Sequence, residues 1–193
     1  LEANGSKRLA FTAHQKLVVL DVPAENLQTV VDGLEALGLQ SNPGNFRRNT
    51  IACTGIEYCK LAIVETKGLA ARSIPILDNS TADLKLDQPI KLHINGCPNS
   101  CARIQTADIG LKGQLLPDGN GGQEPGFQVH LGGGLASRDR DEAGLGRTVR
   151  GLKVTAANLT EYVDRVVRTY DANKEVGETF AEWAHRADEE LLK

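Results

Sequence analysis

Four cysteines are the residues of this chain best suited to chemistry. They stand as two close pairs, Cys53-x5-Cys59 and Cys97-x3-Cys101, the second inside HINGCPNSCA (residues 93–102). Structural zinc sites favour two residues between thiolates, because both must reach one tetrahedral ion. Spacings of five and three suit something larger. A [4Fe-4S] cube offers four iron corners, each wanting one thiolate. Cys97, in a turn after a strand, and Cys101, nearly one helical turn later, can reach different corners. The N–H groups of Gly96 and the turn are placed to bond cluster sulfurs and tune the potential. Buried core thiols are the competing reading. Two pairs beside Gly and Pro turns weigh against it, and in a cytosolic setting metal or redox work outranks disulfides.

The surrounding pattern supplies elements to hold these pairs. KLVVLDV (Lys16 to Val22) reads as a strand, and Pro23 opens a helix carrying Leu27, Val30, Val31, Leu34 and Leu37, stopped by Gly38. SNPGN (Ser41 to Asn45) is the best domain boundary. KLAIVETKGLAAR fits a short helix leaving the first pair, and IPILDNSTADLKLDQP reads as a loop or insertion. IKLHI alternates as a half-buried strand running into Asn95-Gly96 and Cys97. ADIGLKG (Ala107 to Gly113) and GFQVHLGGG (Gly126 to Gly134) are two further strands, and SRDRDEAGLGRT is a flexible polar loop. Two amphipathic helices end the chain. One carries Leu159, Val163, Val166, Val167 and Tyr170; the other Phe180, Trp183, Ala184, Ala187 and Leu191. HLGGG is no dinucleotide fingerprint, since it lacks G-x-G-x-x-G.

The whole-chain properties exclude several classes. The net charge of −3 over 193 residues gives no reason to expect a nucleic-acid partner or an anionic membrane surface. No apolar run approaches the ~20 residues of a membrane span. Leu1 to Arg8 is polar and mixed, unlike a signal peptide, which points to the cytoplasm. The chain starts at Leu1 and contains no methionine, so it is expected to be cut from something longer.

ACTGIEYCKLA followed by NGCPNSCARIQTADIGLKG resembles the cluster-binding signature of the siroheme-containing nitrite and sulfite reductases. GFQVHLGGG is similar to the strand and glycine turn that follow it there. RLAFTAHQKLVVLDVP resembles the family's ferredoxin-like half-domain with its Arg-x-x-x-Thr-x-x-Gln pattern. The similarity runs in order over nearly the whole chain and is nearest to ferredoxin-dependent assimilatory enzymes. It implies an α+β fold: a ferredoxin-like half-domain over residues 1–44, then an α/β siroheme- and [4Fe-4S]-binding domain over 45–193 with a mixed sheet and C-terminal helices.

The resemblance also implies roles. Cys53, Cys59, Cys97 and Cys101 would hold the cluster, with Cys101 bridging to the siroheme iron. Six-electron reduction of sulfite to sulfide, with ferredoxin as donor, is the implied reaction; nitrite to ammonia is the alternative. A non-catalytic [4Fe-4S] electron-transfer module is the reading from a different class. The small anion needs cationic groups, and in the family these come from the N-terminal half of the enzyme, the implied partner. No catalytic residue is therefore assigned in this chain, which is expected to be an inactive fragment alone. Arg8 and Gln15 match the half-domain motif, although Lys16 departs from the family's asparagine. Arg47 and Asn49 match an Arg-x-Asn stretch, where Arg47 and Arg48 would meet siroheme carboxylates. Arg103 would serve similarly, and Asn99 belongs to the Cys-Pro-Asn turn. His130 is the histidine to watch. For these residues a solvated loop or ordinary turn chemistry is the competing reading, and for His130 a satisfied structural role.

Overall fold

The structure is a computed structural model describing residues 1–136 and 143–193. The chain divides into two compact units, Leu1–Gly44 and Asn45–Lys193.

In the first unit, β1 (Arg8–Phe11) pairs antiparallel with β2 (Leu17–Leu20), with Arg8 opposite Leu20 and Phe11 opposite Leu17. The sequence reading anticipated β2 but not β1. Thr12 shapes the turn: its Oγ1 accepts the N–H groups of His14 and Lys16. A 3₁₀ turn after Pro23 leads into α1 (Leu27–Ala36). Gly38, at φ 78°, closes α1. Its N–H bonds Glu35 O, and Leu39 N–H bonds Leu34 O, the paired bonds of a Schellman ending. Val30 is the one buried apolar side chain of this unit, while Phe11 is 89% and Leu37 77% exposed.

The second unit is built on a five-stranded sheet in the order β3 (Thr50–Ala52), β4 (Leu92–Asn95), β5 (Ile109–Pro117), β6 (Gln123–Leu131), β7 (Lys153–Thr155). β3, β4 and β5 run parallel; β5–β6 and β6–β7 are antiparallel. The short α2 (Asn45–Asn49) precedes β3, and α3 (Lys67–Ser80) crosses from β3 to β4. β5 and β6 form a long hairpin whose loop is held by Asp118 Oδ1, which accepts from Asn120 and Gly122 N–H. α4 (Leu159–Asn173), α5 (Phe180–Arg186) and α6 (Glu189–Leu192) complete the chain.

The core joins Ile94, Leu111, Phe127 and Val129 of the sheet to Leu77 of α3, Val163, Val166 and Val167 of α4 and Trp183 of α5. Each large side chain so buried contributes about 1.5–3 kcal/mol. Tyr170, Phe180 and Trp183 meet at tilted ring separations of 5.3–5.6 Å. α5 starts with a reciprocal cap: Thr179 Oγ1 accepts Glu182 N–H while Glu182 Oε2 accepts Thr179 N–H.

Three expectations need correction. α3 starts later than expected and runs through IPILDNS to Ser80, with Pro75 inside it. Leu69, Ala70, Ser73, Ile74 and Leu77 form a buried helical stripe, and that burial outweighs the hydrogen bond Pro75 cannot donate. β4 is buried along its whole length rather than on one face, since it lies between two strands and is covered on both sides. The last helix is two helices. Ala187 and Asp188 are extended, and Arg147 Nη1 bonds the carbonyls of Ala184, His185 and Ala187 where the chain turns out of α5. Leu192, not Leu191, is consequently the buried residue. The first half of the polar loop expected over SRDRDEAGLGRT, residues 137–142, lies outside the described residues; in the second half Gly144 and Arg147 bridge to Gly134 and Leu131.

Candidate metal centre

Parallel pairing of β3 and β4 brings the two cysteine pairs together. Ala52 is opposite Ile94, and Cys53 N–H continues the ladder to Ile94 O at 3.0 Å. Cys53 therefore leaves β3 level with Asn95 at the end of β4, and Cys97 follows two residues on. Both pairs emerge from the same carboxyl edge of the parallel strands.

Gly96 ties them. Its N–H donates to Cys53 Sγ at 3.1 Å. Its carbonyl accepts Ile63 and Val64 N–H at 2.7 and 3.2 Å, which folds the segment after Cys59 back over the end of β4. Side chains are crowded here: a Cβ on Gly96 would stand 3.0 Å from Val64 O, so its neighbours would have to give, and one on Gly113 would lie 2.6 Å from the Gly96 backbone, closer than side chains come. The sequence reading placed a Gly96 N–H beside cluster sulfur; the structure directs it to the sulfur of Cys53.

Residues 53–59 form a tight loop. Cys59 N–H bonds Gly55 O at 2.9 Å. Thr66, just before α3, donates its hydroxyl to Cys53 O at 2.7 Å, and the same oxygen lies 3.7 Å from Cys53 Sγ. Glu57 Oε1 accepts Gly68 N–H at 3.1 Å at the start of α3. Desolvation pushes the Glu57 carboxyl up, but backbone N–H bonds from Glu57, Gly68, Thr66 and Lys67 together outweigh it and hold the group below its ordinary value. Neither Thr66 nor Glu57 was singled out from sequence, because nothing in TGIEYC marks a carboxylate that will meet a distant helix start.

All four cysteines are free thiols: Cys97 buried, Cys53 and Cys59 half-buried, Cys101 exposed. Among the described residues no group of three or more His, Cys, Asp or Glu gathers to hold a single metal ion. The fit to a [4Fe-4S] group rests instead on donor chemistry. Four soft thiols stand on two adjacent loops, and one sulfur already receives a backbone N–H, the kind of bond that stabilises a ligating thiolate. The residues fit such a cluster.

The other singled-out residues fall in different places. Asn99 is exposed on the Cys97–Cys101 turn. Arg103, at φ 55°, ends that turn, and its carbonyl receives His93 Nδ1 at 3.1 Å. Arg47 and Arg48 are exposed on α2. Asn49 turns its amide back onto Asn45 O and Oδ1 at 2.9 and 3.1 Å. His130 lies on β6 opposite Gly110 of β5. Its Nε2 is buried with no hydrogen-bond partner. Burial and then Lys112 lower its pKa, against a bond to the Gly146 backbone that raises it. Arg8 and Gln15 belong to the first unit. There Arg8 forms a two-bond ion pair with Asp21, including Nη2 to Oδ1 at 2.8 Å, and Gln15 sits at φ 58° in the hairpin turn. The glycines of HLGGG serve packing: a Cβ on Gly132 would meet Ala181 O of α5 at 2.9 Å, and one on Gly133 would meet Gln105 O at 2.1 Å.

Residues 43–193, the whole second unit with both cysteine pairs, match the family described as "Nitrite and sulphite reductase 4Fe-4S domain". The chain belongs to this family. Its relatives among the nitrite and sulphite reductases include "Sulfite reductase [ferredoxin] 1" of Mycolicibacterium paratuberculosis, 52% identical over 100% of this chain and 34% of that protein. "Sulfite reductase [ferredoxin]" of Mycobacterium tuberculosis is 52% identical over 98% of this chain and 34% of its own length. "Assimilatory ferredoxin-dependent nitrite reductase" of Haloferax mediterranei is more distant, at 34% identity over 93% of this chain. The solved structure of the Mycobacterium tuberculosis NirA protein superposes with a TM-score of 0.94 at 51% identity, over 100% of this chain and 35% of that one. The fold is shared with a dissimilatory sulfite reductase at a TM-score of 0.72 and 13% identity. This chain spans about a third of the length of the sulfite reductases it matches. Siroheme and a [4Fe-4S] cluster are the cofactors this membership implies. No helix among the described residues is long and apolar enough to cross a membrane.

Proposed function

We propose that this chain is the C-terminal, cofactor-binding portion of a ferredoxin-dependent sulfite reductase working in the cytoplasm. The observation that carries this is the pairing of β3 with β4, which delivers Cys53 beside Gly96 and Cys97 at one sheet edge. The same sequence is 52% identical to sulfite reductases along its length, against 34% to a nitrite reductase. Cys53, Cys59, Cys97 and Cys101 would hold the cluster, and Cys101, the exposed one, would be the thiol shared with the siroheme. The cofactors supply six-electron reduction of sulfite to sulfide. The chain's own residues fix the thiolates: Gly96 N–H on one sulfur, Thr66 and Glu57 on the loop between Cys53 and the start of α3. Residues 1–44 act as a ferredoxin-like half-domain, with Arg8 and Gln15 its candidate siroheme contacts, and residues 45–193 as the cofactor domain, whose candidates are Arg47, Asn49, Asn99, Arg103 and His130. Cationic groups for the small anion come from the remainder of the enzyme.

The test is to produce the chain together with that remainder and record absorption and turnover. A siroheme Soret band with a red band, iron and acid-labile sulfide, and sulfide formation with reduced ferredoxin are expected. A cluster spectrum without siroheme would return the chain to the electron-transfer reading. A kcat/KM higher for nitrite than for sulfite would overturn the choice of substrate.

A further inference from the structure

Asn95 ends β4 and is fully buried. An amide inside an apolar strand is costly unless both its ends are bonded. Both are. Its Nδ2 donates to the carbonyl of Cys97 at 2.7 Å, and its Oδ1 accepts the N–H of Ala102 at 2.8 Å. Only this orientation suits both partners, one an acceptor and the other a donor. Those partners are the carbonyl of the first cysteine of the pair and the N–H just after the second. One side chain therefore spans the mouth of the Cys97–Cys101 turn. Two residues earlier on the same strand, His93 Nδ1 bonds Arg103 O at 3.1 Å and extends the staple. Inside the turn, Ser100 and Arg103 hold φ of 59° and 55°. Non-glycine residues keep that left-handed conformation only where their surroundings impose it.

We infer that Asn95 is a positioning residue: it holds Cys97 and Cys101 in the arrangement that receives the cluster. This rests on the reading of the four cysteines as cluster ligands. The side-chain hydrogen bonds of Asn95 go to backbone, not to sulfur. It acts through the backbone on either side of the pair, and its bonds are to the chain itself, so the turn is shaped before any iron arrives.

The experiment uses the full chain, reconstituted anaerobically with ferrous iron and sulfide. Cluster release to a chelator is followed alongside the thermal midpoint. Asn95→Ala removes both bonds. Asn95→Asp keeps an acceptor for Ala102 but sets a carboxylate oxygen against the Cys97 carbonyl. Leu77→Ala, in the core under α3, supplies a variant of lowered stability with the staple intact. Both Asn95 variants should release iron about tenfold or more faster than the parent and faster than Leu77→Ala. In the iron-free chain the Ala102 amide should exchange about tenfold faster in Asn95→Ala and near the parental rate in Asn95→Asp. Release at the parental rate, or at the Leu77→Ala rate, by both Asn95 variants would overturn the proposal. A parent chain that takes up no iron and sulfide would sink the cluster reading instead; the exchange rates would still decide whether Asn95 holds the turn, with unchanged exchange in Asn95→Ala counting against it.

Discussion

The backbone N–H of Gly96 reaches across 3.1 Å to Sγ of Cys53, so the residue preceding one cysteine pair bonds a sulfur of the other. An N–H donor stabilises a thiolate most when the attached centre carries most negative charge, which is the reduced state. A Cβ at this position would force Val64 O and Ala62 to give way. Gly96→Ala should therefore shift the cluster's reduction potential to a more negative value and cost about 1 kcal/mol of stability. Redox titration followed by EPR measures the first; an unchanged potential would remove the role assigned to this bond.

The cysteines should not respond alike to serine. Cys53→Ser replaces a soft ligand that is already hydrogen-bonded and fixed to β4, and iron and acid-labile sulfide should be lost. Cys101→Ser alters the exposed thiol. In the complete enzyme it should leave more cluster behind but weaken its magnetic coupling to the siroheme, visible by Mössbauer spectroscopy. Full coupling in the Cys101 variant would assign the bridge to another residue.

Gly55 meets two demands at once. Its φ is 77°, and a Cβ there would lie 2.2 Å from Glu57 Oε2 and 2.9 Å from the backbone nitrogen of Thr66. Gly55→Ala should cost at least about 1–2 kcal/mol from the left-handed backbone alone. It should also push Glu57 off the start of α3. A thermal midpoint within error of the parent's would show that the loop has slack the geometry denies.

Stability should fall on acidification in part through Glu178. The Arg186 guanidinium, bonded to Glu178 at 2.5 and 2.8 Å, holds this carboxyl below its ordinary value, desolvation opposing. A carboxyl depressed in the folded state stabilises above its unfolded pKa, ~4.3. That contribution disappears as pH drops through the lower folded value. Arg186 is 44% exposed, so solvent screens the pair and the effect is small. Denaturant midpoints from neutral pH downward should fall less steeply in Glu178→Gln than in the parent; identical slopes would exclude the pair as a contributor.

The cysteine pairs were legible because residue type and spacing alone restrict what four thiols can do. The α4 stripe was legible because Leu159, Val163, Val166, Val167 and Tyr170 recur at helical spacing and all are buried. What escaped notice was decided at a distance. β3 and β7 are three residues each, too short for any periodicity, and exist because a neighbouring strand pairs with them. Pro75 looks like a helix breaker until the apolar stripe around it is seen to face the core. Asn95 reads as half of an ordinary Asn-Gly turn, and only the return of the chain at Ala102 gives its amide a second partner.

Cys53 and Cys97 are separated along the chain by the whole crossover through α3, yet lie on neighbouring strand ends. No local segment can bring them together. The halves of the cradle meet only after the ends of a long loop have closed, a step of high contact order that is slow compared with forming α4 or α5. Until that closure a newly made chain carries its four thiols apart, and an oxidant that reached them then would spoil the ligand set before the cradle existed.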